Sequence, residues 1–294
     1  MRKYEVRVSG RDGYVVLAAC ADPEGGGGLF SFDGNRVEQI ESMDCCSLTL
    51  ADGRLLLLRW SQPGKSTGVF VYDQHGIERY YRIDGLGDAH QIAWDGKNFV
   101  LVSTSTNSVL WLGQDGNKIE WKAPGEGDCW HINGVYILDG EVYLSAFGRF
   151  AEHRGWDGRQ KDGCGVIFKQ STGEDVVTGL NCPHHPKFLD GYWVVCNAST
   201  HQIVQIEPRA GRIVRCVQLN GWTRGLAFSD DWIFAGVSAP RHDPTITNDK
   251  ASIAVISRST WRVEHLFPVA SREIGDLAIA PFALAEGVQK GFCL

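Results

Sequence analysis

Apolar and polar positions alternate along nearly the whole chain in short runs, each closed by a turn signal. Asn98-Phe-Val-Leu-Val-Ser103 and Tyr192-Trp-Val-Val-Cys196 are typical, β-branched and aromatic throughout. Period two with this composition predicts strands rather than helices. Asp52-Gly53, Asp95-Gly96, Asp139-Gly140 and Asp190-Gly191 sit between such runs, and Asp230-Asp231 takes the same place once. Asp-Gly between apolar runs predicts a tight hairpin, because both turn residues must accept positive φ. Further turns are marked by Asp73-Gln-His-Gly76, Gln114-Asp-Gly116, Ser171-Thr-Gly173 and Pro208-Arg-Ala-Gly211. One stretch resolves into four strands at residues 46–50, 54–59, 68–72 and 77–82.

That four-strand unit recurs. Cys46-Ser-Leu-Thr-Leu50, His90-Gln-Ile-Ala-Trp94, His131-Ile-Asn-Gly-Val135, His184-His-Pro-Lys-Phe188, Arg224-Gly-Leu-Ala-Phe228 and Gly275-Asp-Leu-Ala-Ile279 open successive copies. A strand-rich repeat of about 45 residues is the period of a propeller blade. The prediction is all-β: a single six-bladed β-propeller domain over residues 1–294, with four-stranded antiparallel blades. Its ring is closed by strands from both ends of the chain. Gly13-Tyr-Val-Val-Leu-Ala-Ala19, Gly28-Leu-Phe-Ser-Phe32 and Arg36-Val-Glu-Gln-Ile40 would pair with Asp276-Leu-Ala-Ile-Ala280, removing free sheet edges. Residues 4–8 compete for the innermost position.

The first strand of each blade lines a propeller's axis, so the leading slots form a ring of Cys46, His90, His131, His184, Arg224 and Gly275. Side chains two positions apart share a face, which sets Asp44, Asp88, Cys129, Cys182, Trp222 and Glu273 in a layer above. Three readings follow. His90, His131 and His184 could ligate a divalent metal (zinc, iron, manganese or calcium), with Asp88 as fourth ligand or as acceptor from an imidazole. They could instead act as general acid and base, with Arg224 holding an anionic group. Or they could plug the axis with hydrogen bonds and water. The ring leaves one side open at Gly275. Asn133 competes with His131 for its slot, and His185 faces away from the axis as packing. Lys187 and Trp222 are candidate substrate contacts. Long inserts at residues 148–163 and 239–250 overhang this face, bringing Arg149, His153, Trp156, Arg241 and His242 as possible covers. Cys129 and Cys182 read as small hydrophobes before soft ligands.

Charge and composition narrow the function. A net charge of −6 and a pI near 5.8 argue against a nucleic-acid or anionic-membrane surface. No apolar run reaches membrane-spanning length, and the first residues show no secretory h-region. Nine cysteines without framework spacing fit reduced thiols in a cytoplasmic protein. The glycine run at 25–28 lacks the Lys-Ser/Thr and helix of a phosphate loop and reads as a turn.

Cys129-Trp-His-Ile-Asn-Gly134, Pro183-His-His-Pro-Lys187 and Gly221-Trp-Thr-Arg-Gly-Leu226 together resemble the bacterial family grouped as domain of unknown function 4915. The resemblance runs from about Gly87 to Arg241 and takes in Asn197-Ala-Ser-Thr200 and Gly236-Val-Ser238. Family members carry Ser-Pro-Arg after the histidine matching His184; here His185-Pro186-Lys187 stands instead. The resemblance implies a propeller-like fold with His90, His131, His184 and Arg224 as family-type positions, and implies no activity. More distantly the layout resembles propeller lyases, lactonases and glutaminyl cyclases, a likeness of fold alone. The expectation is an enzyme acting on a small anionic metabolite by hydrolysis, elimination or isomerisation. The alternative is a non-catalytic propeller that binds a small ligand, glycan or protein partner.

Overall fold

The computed structural model describes residues 6–8, 13–22, 26–60, 66–239 and 249–291. In chain order, β1 (Tyr14–Cys20), β2 (Gly28–Phe32) and β3 (Val37–Glu41) begin the closing blade. The second blade is β4 (Cys45–Ala51), β5 (Arg54–Arg59), β6 (Thr67–Asp73) and β7 (Gly76–Ile83). The third is β8 (Ala89–Trp94), β9 (Asn98–Ser103), β10 (Ser108–Gly113) and β11 (Lys118–Lys122). The fourth is β12 (Ile132–Leu138), β13 (Glu141–Ala146), β14 (Gly165–Lys169) and β15 (Asp175–Leu180). The fifth is β16 (Pro183–Leu189), β17 (Tyr192–Asn197), β18 (Gln202–Ile206) and β19 (Ile213–Gln218). The sixth is β20 (Trp222–Phe228), β21 (Trp232–Ser238), β22 (Ser252–Ser257) and β23 (Val263–Pro268). Last come β24 (Ile274–Pro281) and a helix, α1 (Phe282–Gly291). The six antiparallel sheets make a six-bladed β-propeller.

The turn chemistry explains the hairpins. Asp52, Asp139 and Asp190 adopt φ near +50°, each followed by a glycine of positive φ. That is the conformation asparagine, aspartate and glycine tolerate in a two-residue hairpin. Asp95 differs: its Oδ1 accepts from Lys97 and Asn98 N–H, so only Gly96 takes positive φ.

Closure follows the order β24-β1-β2-β3, with Val16 opposite Ile279 and Leu17 opposite Ala278. The innermost strand thus comes from the carboxy-terminal segment. Of the competing stretch, Val6 and Val8 are buried outside any strand, and Tyr4 lies outside the described residues. The repeat does not announce α1. That helix buries Leu284, Ala285 and Val288 in the same core as Leu55, Leu57 and Tyr72.

The chain divides into two compact units, one of Met1–Arg59, Val69–Tyr81 and Gly225–Leu294, the other of Trp60–Gly68 and Arg82–Arg224. In the first, Phe32 packs on Phe267 and Phe234, beside Val16, Ala18 and Ile253. In the second, Val100, Val102 and Leu144 pack with Trp130 and Phe168. The described cysteines are free thiols. No helix among the described residues is long and apolar enough to cross a membrane.

The innermost strands β4 and β24 each carry one extra residue. Pairing steps from Cys45–Arg59 to Ser47–Leu58, which leaves Cys46 as a bulge, and from Cys20–Ile274 to Ala19–Asp276, which leaves Gly275 as one. These two bulges meet. A Cβ on Gly275 would lie 2.2 Å from the Cys46 carbonyl oxygen. The slot that glycine seemed to leave open is therefore filled by neighbouring backbone. Gly275→Ala should force those strands apart and lower stability by about 1–3 kcal/mol, read as a reduced midpoint in urea unfolding.

Candidate functional site

The second unit gathers the histidines, and its bulges decide how. In β8, Ala89 pairs with Ser103 and Gln91 with Val102, so His90 is the extra residue. In β12, Ile132 pairs with Ala146 and Gly134 with Ser145, so the extra residue is Asn133. In β16 the shift falls between His184 and Lys187. Just before each strand stands a residue with φ of 51°: Asp88, His131 and Cys182. His90, Asn133 and His184 therefore share one register, while His131 shares the register of Asp88. This corrects the ring read from sequence, in which His131 occupied the slot that Asn133 holds. A bulge re-aims a side chain at the cost of one ladder position.

The three imidazoles nevertheless converge. The His90 ring centroid lies 6.1 Å from that of His131 and 5.6 Å from that of His184. Around them stand Phe147, 4.0 Å from His131 and 5.4 Å from His184, and Trp156, 4.4 Å from His131. Trp222 meets His184 edge to face at 6.4 Å. Phe147, Trp156, Cys182 and Ala198 form a buried cluster with Phe150 and Trp222 packed on it. The three imidazoles are thus packed largely among aromatic and apolar side chains.

His131 has a partner that strand alternation does not reveal. Its Nδ1 lies 2.9 Å and 3.0 Å from the two carboxylate oxygens of Asp128. A carboxylate accepts, so Nδ1–H donates and Nε2 is left for chemistry. The insert at 148–163 builds this pair. The Asp128 carbonyl accepts from Trp156 Nε1 at 3.0 Å and from Arg154 N–H at 3.0 Å. The Asp128 N–H donates to His153 Nδ1 at 3.2 Å. Trp156 and His153, candidate covers of the site, hold the carboxylate that holds His131.

His184 is fully buried. Its Nδ1 lies 3.0 Å from the Cys182 carbonyl oxygen, which can only accept, so the proton sits on Nδ1. Burial, and then the neighbouring His90 and His185 rings, hold its pKa well below the ordinary histidine value. The ring is neutral, and Nε2 carries a lone pair that is buried without a hydrogen-bond partner. Leaving a buried acceptor unmet costs about 1–3 kcal/mol, so this atom calls for an N–H or O–H partner.

The other candidates divide. Asp88 Oδ1 is 3.7 Å from His90 Nδ1, an ion-pair separation longer than a hydrogen bond. Asn133 is fully buried, and its Oδ1 accepts from Ser145 Oγ at 2.7 Å. Trp222 and Arg224 lie half-buried on β20. Lys187 stands apart, its Nζ 5.6 Å from the centroid of the Tyr136 ring. Arg149 is a clamp: it pairs with Asp175 at 2.6 Å, donates to Gly173 O at 2.8 Å and stacks on Trp130 and Phe168. Those bonds tie the start of the insert to β15 and occupy the Arg149 guanidinium. Arg241 and His242 lie outside the described residues. His185 is buried, and its ring stacks on His184 at 6.3 Å. Burial pushes the Cys182 thiol up to about 12, so it stays a protonated thiol, and Cys129 donates to Pro124 O at 3.3 Å. No group of three or more His, Cys, Asp or Glu among the described residues is placed to hold a metal ion.

The depressed pKa values of His184 and His185 make stability depend on pH. Below the ordinary histidine value of about 6.5 the unfolded chain binds these protons and the folded chain refuses them, so stability falls as pH drops through that value. Urea unfolding near pH 5 and near pH 7.5 should show the loss. His184→Gln should shrink the difference between the two.

No curated protein matches the sequence. Among solved structures, a chain of a nidogen/laminin complex superposes with a TM-score of 0.67 at 12% identity, over 92% of this chain and 99% of that one. A protein of unknown function from Bacteroides caccae does so with a TM-score of 0.63 at 15% identity, over 92% and 99%. A candidate 6-phosphogluconolactonase from Bacteroides fragilis gives 0.53 at 13% identity, again over 92% and 99%. Likeness at such low identity shows the propeller and nothing finer. A family model does reach the sequence itself, matching residues 60–267 and so spanning His90, Asp128, His131, Asn133, His184 and Arg224. The chain belongs to the family described as Domain of unknown function (DUF4915).

Proposed function

We propose that the Asp128–His131 pair and His184 form the acid–base centre of an enzyme acting on a small anionic metabolite, with hydrolysis the reaction the arrangement serves best. The observation that carries this is the bonding of His131 Nδ1 to both oxygens of a nearly buried carboxylate. Such a carboxylate fixes the tautomer, orients the ring and stabilises the imidazolium formed when Nε2 takes a proton. His184 supplies the contrasting group, a neutral ring with a bare lone pair, and two titratable groups in unlike surroundings can divide acid and base roles. The protonated Cys182 thiol makes a poor nucleophile, which favours water as the attacking group. Arg224, on the next inner strand, is the cation assigned to the substrate's anionic group.

A metabolite extract incubated with the protein and followed by mass spectrometry should show a species consumed by wild type and spared by His131→Gln. A 6-phosphogluconolactone is a natural first pure compound, given the name of the Bacteroides fragilis neighbour. With a substrate in hand, Asp128→Asn should lower kcat by about 100-fold or more with little change in KM. Folded His131→Gln and Asp128→Asn proteins that turn over at wild-type rates would remove the reading. Elemental analysis of the same preparation separates it from a metal-assisted route.

A further inference from the structure

Two buried polar atoms of the second unit are unmatched, and they are opposite in kind. Asn133 is fully buried; Ser145 Oγ donates to its Oδ1 at 2.7 Å, and its Nδ2 has no hydrogen-bond partner. His184 is fully buried; its Nδ1–H is engaged by the Cys182 carbonyl, and its Nε2 has no partner. One atom is a donor only and the other an acceptor only. They occupy the same register of β12 and β16. The two strands touch at this level: a Cβ on Gly134 would lie 2.8 Å from Pro186 Cδ and 3.3 Å from His185 N. Gly134 thus brings β12 against β16 at the level of these two groups. Each costs about 1–3 kcal/mol if left dry.

We infer that Asn133 Nδ2 and His184 Nε2 form a two-point receptor for a single O–H group, which donates to the imidazole and accepts from the amide. The inference rests on the site assignment under Proposed function and names what that site grips. Other common groups fit worse. A carboxylate or phosphate oxygen would satisfy Asn133 but face the His184 lone pair with its own. An ammonium group would satisfy His184 and repel the amide N–H. A hydroxyl answers both, and so does a water molecule; both are O–H groups, one brought by the substrate and one resident. Anion recognition then belongs elsewhere, at Arg224, and the receptor recognises the alcohol or hydrate portion of the same molecule.

Crystals of the full chain, grown without polyols and then soaked in glycerol, test this directly. The expected result is an oxygen atom within about 2.7–3.2 Å of both His184 Nε2 and Asn133 Nδ2. If it stays unchanged in glycerol, the O–H group is resident water. If a glycerol hydroxyl replaces it, the receptor takes substrate hydroxyls. No oxygen at that position, or one bonded to a single partner, overturns the receptor. Nitrogen-15 histidine spectra in solution give a second readout. The His184 Nε2 resonance should lie upfield of a lone pair without a partner, and should move downfield in Asn133→Leu. An unshifted resonance counts against the proposal. An absent oxygen with turnover still dependent on His131 would remove the receptor alone. A bound oxygen with turnover indifferent to His131 would remove the acid–base reading and leave the receptor standing.

Discussion

Where innermost strands approach backbone to backbone they leave little room for a side chain, and several positions answer that constraint. At some contacts it is met by glycine: Gly275 lies against the Cys46 carbonyl and Gly134 against Pro186 and His185. Elsewhere it is met by an extra residue that turns its side chain out of the ladder, as at His90 and Asn133. The same device that lets strands approach therefore also projects functional groups. Packing and chemistry share one set of positions, so a substitution at one disturbs both.

Around the histidines the surroundings differ sharply over a short distance. His131 leans on a carboxylate that an insert holds in place, while His184 is fully buried and its Nδ1 leans on a backbone carbonyl. Phe147 touches both rings. An apolar wall shared by two such unlike imidazoles lowers the local dielectric for both, and it strengthens the Asp128 contact as well as the bias of His184 toward neutrality.

The strands and hairpins were legible because alternation and Asp-Gly turns are local signals. Register was harder. Asn133 and His184 stand equally far before their Asp139-Gly140 and Asp190-Gly191 turns, and counting back from the turn places Asn133 in the slot that matching residue type assigned to His131. His90 stands closer to its own turn, so likeness of side chain misled where spacing was available. Asp128 was not legible from strand alternation, because it sits in a loop and reaches the imidazole only through the positive φ of His131. The helix α1 falls outside the repeat and carries no blade signal. Arg149 sits on the insert as expected, but its stacking on Trp130 and Phe168 depends on strands distant in sequence.

The pairing of β24 with β1 joins residues from opposite ends of the chain, Tyr14 with Pro281 and Val16 with Ile279. By contrast, the third, fourth and fifth blades are each made from one contiguous stretch. Local sheets form without the entropy of closing a chain-length loop, and the pairing across the ends must wait for it. During synthesis the blades that carry His90, His131 and His184 can be complete while the first blade still lacks its innermost strand. Until the last strand emerges, β1 presents an unpaired apolar edge, so the interval before closure is when this chain is most exposed to pairing with another.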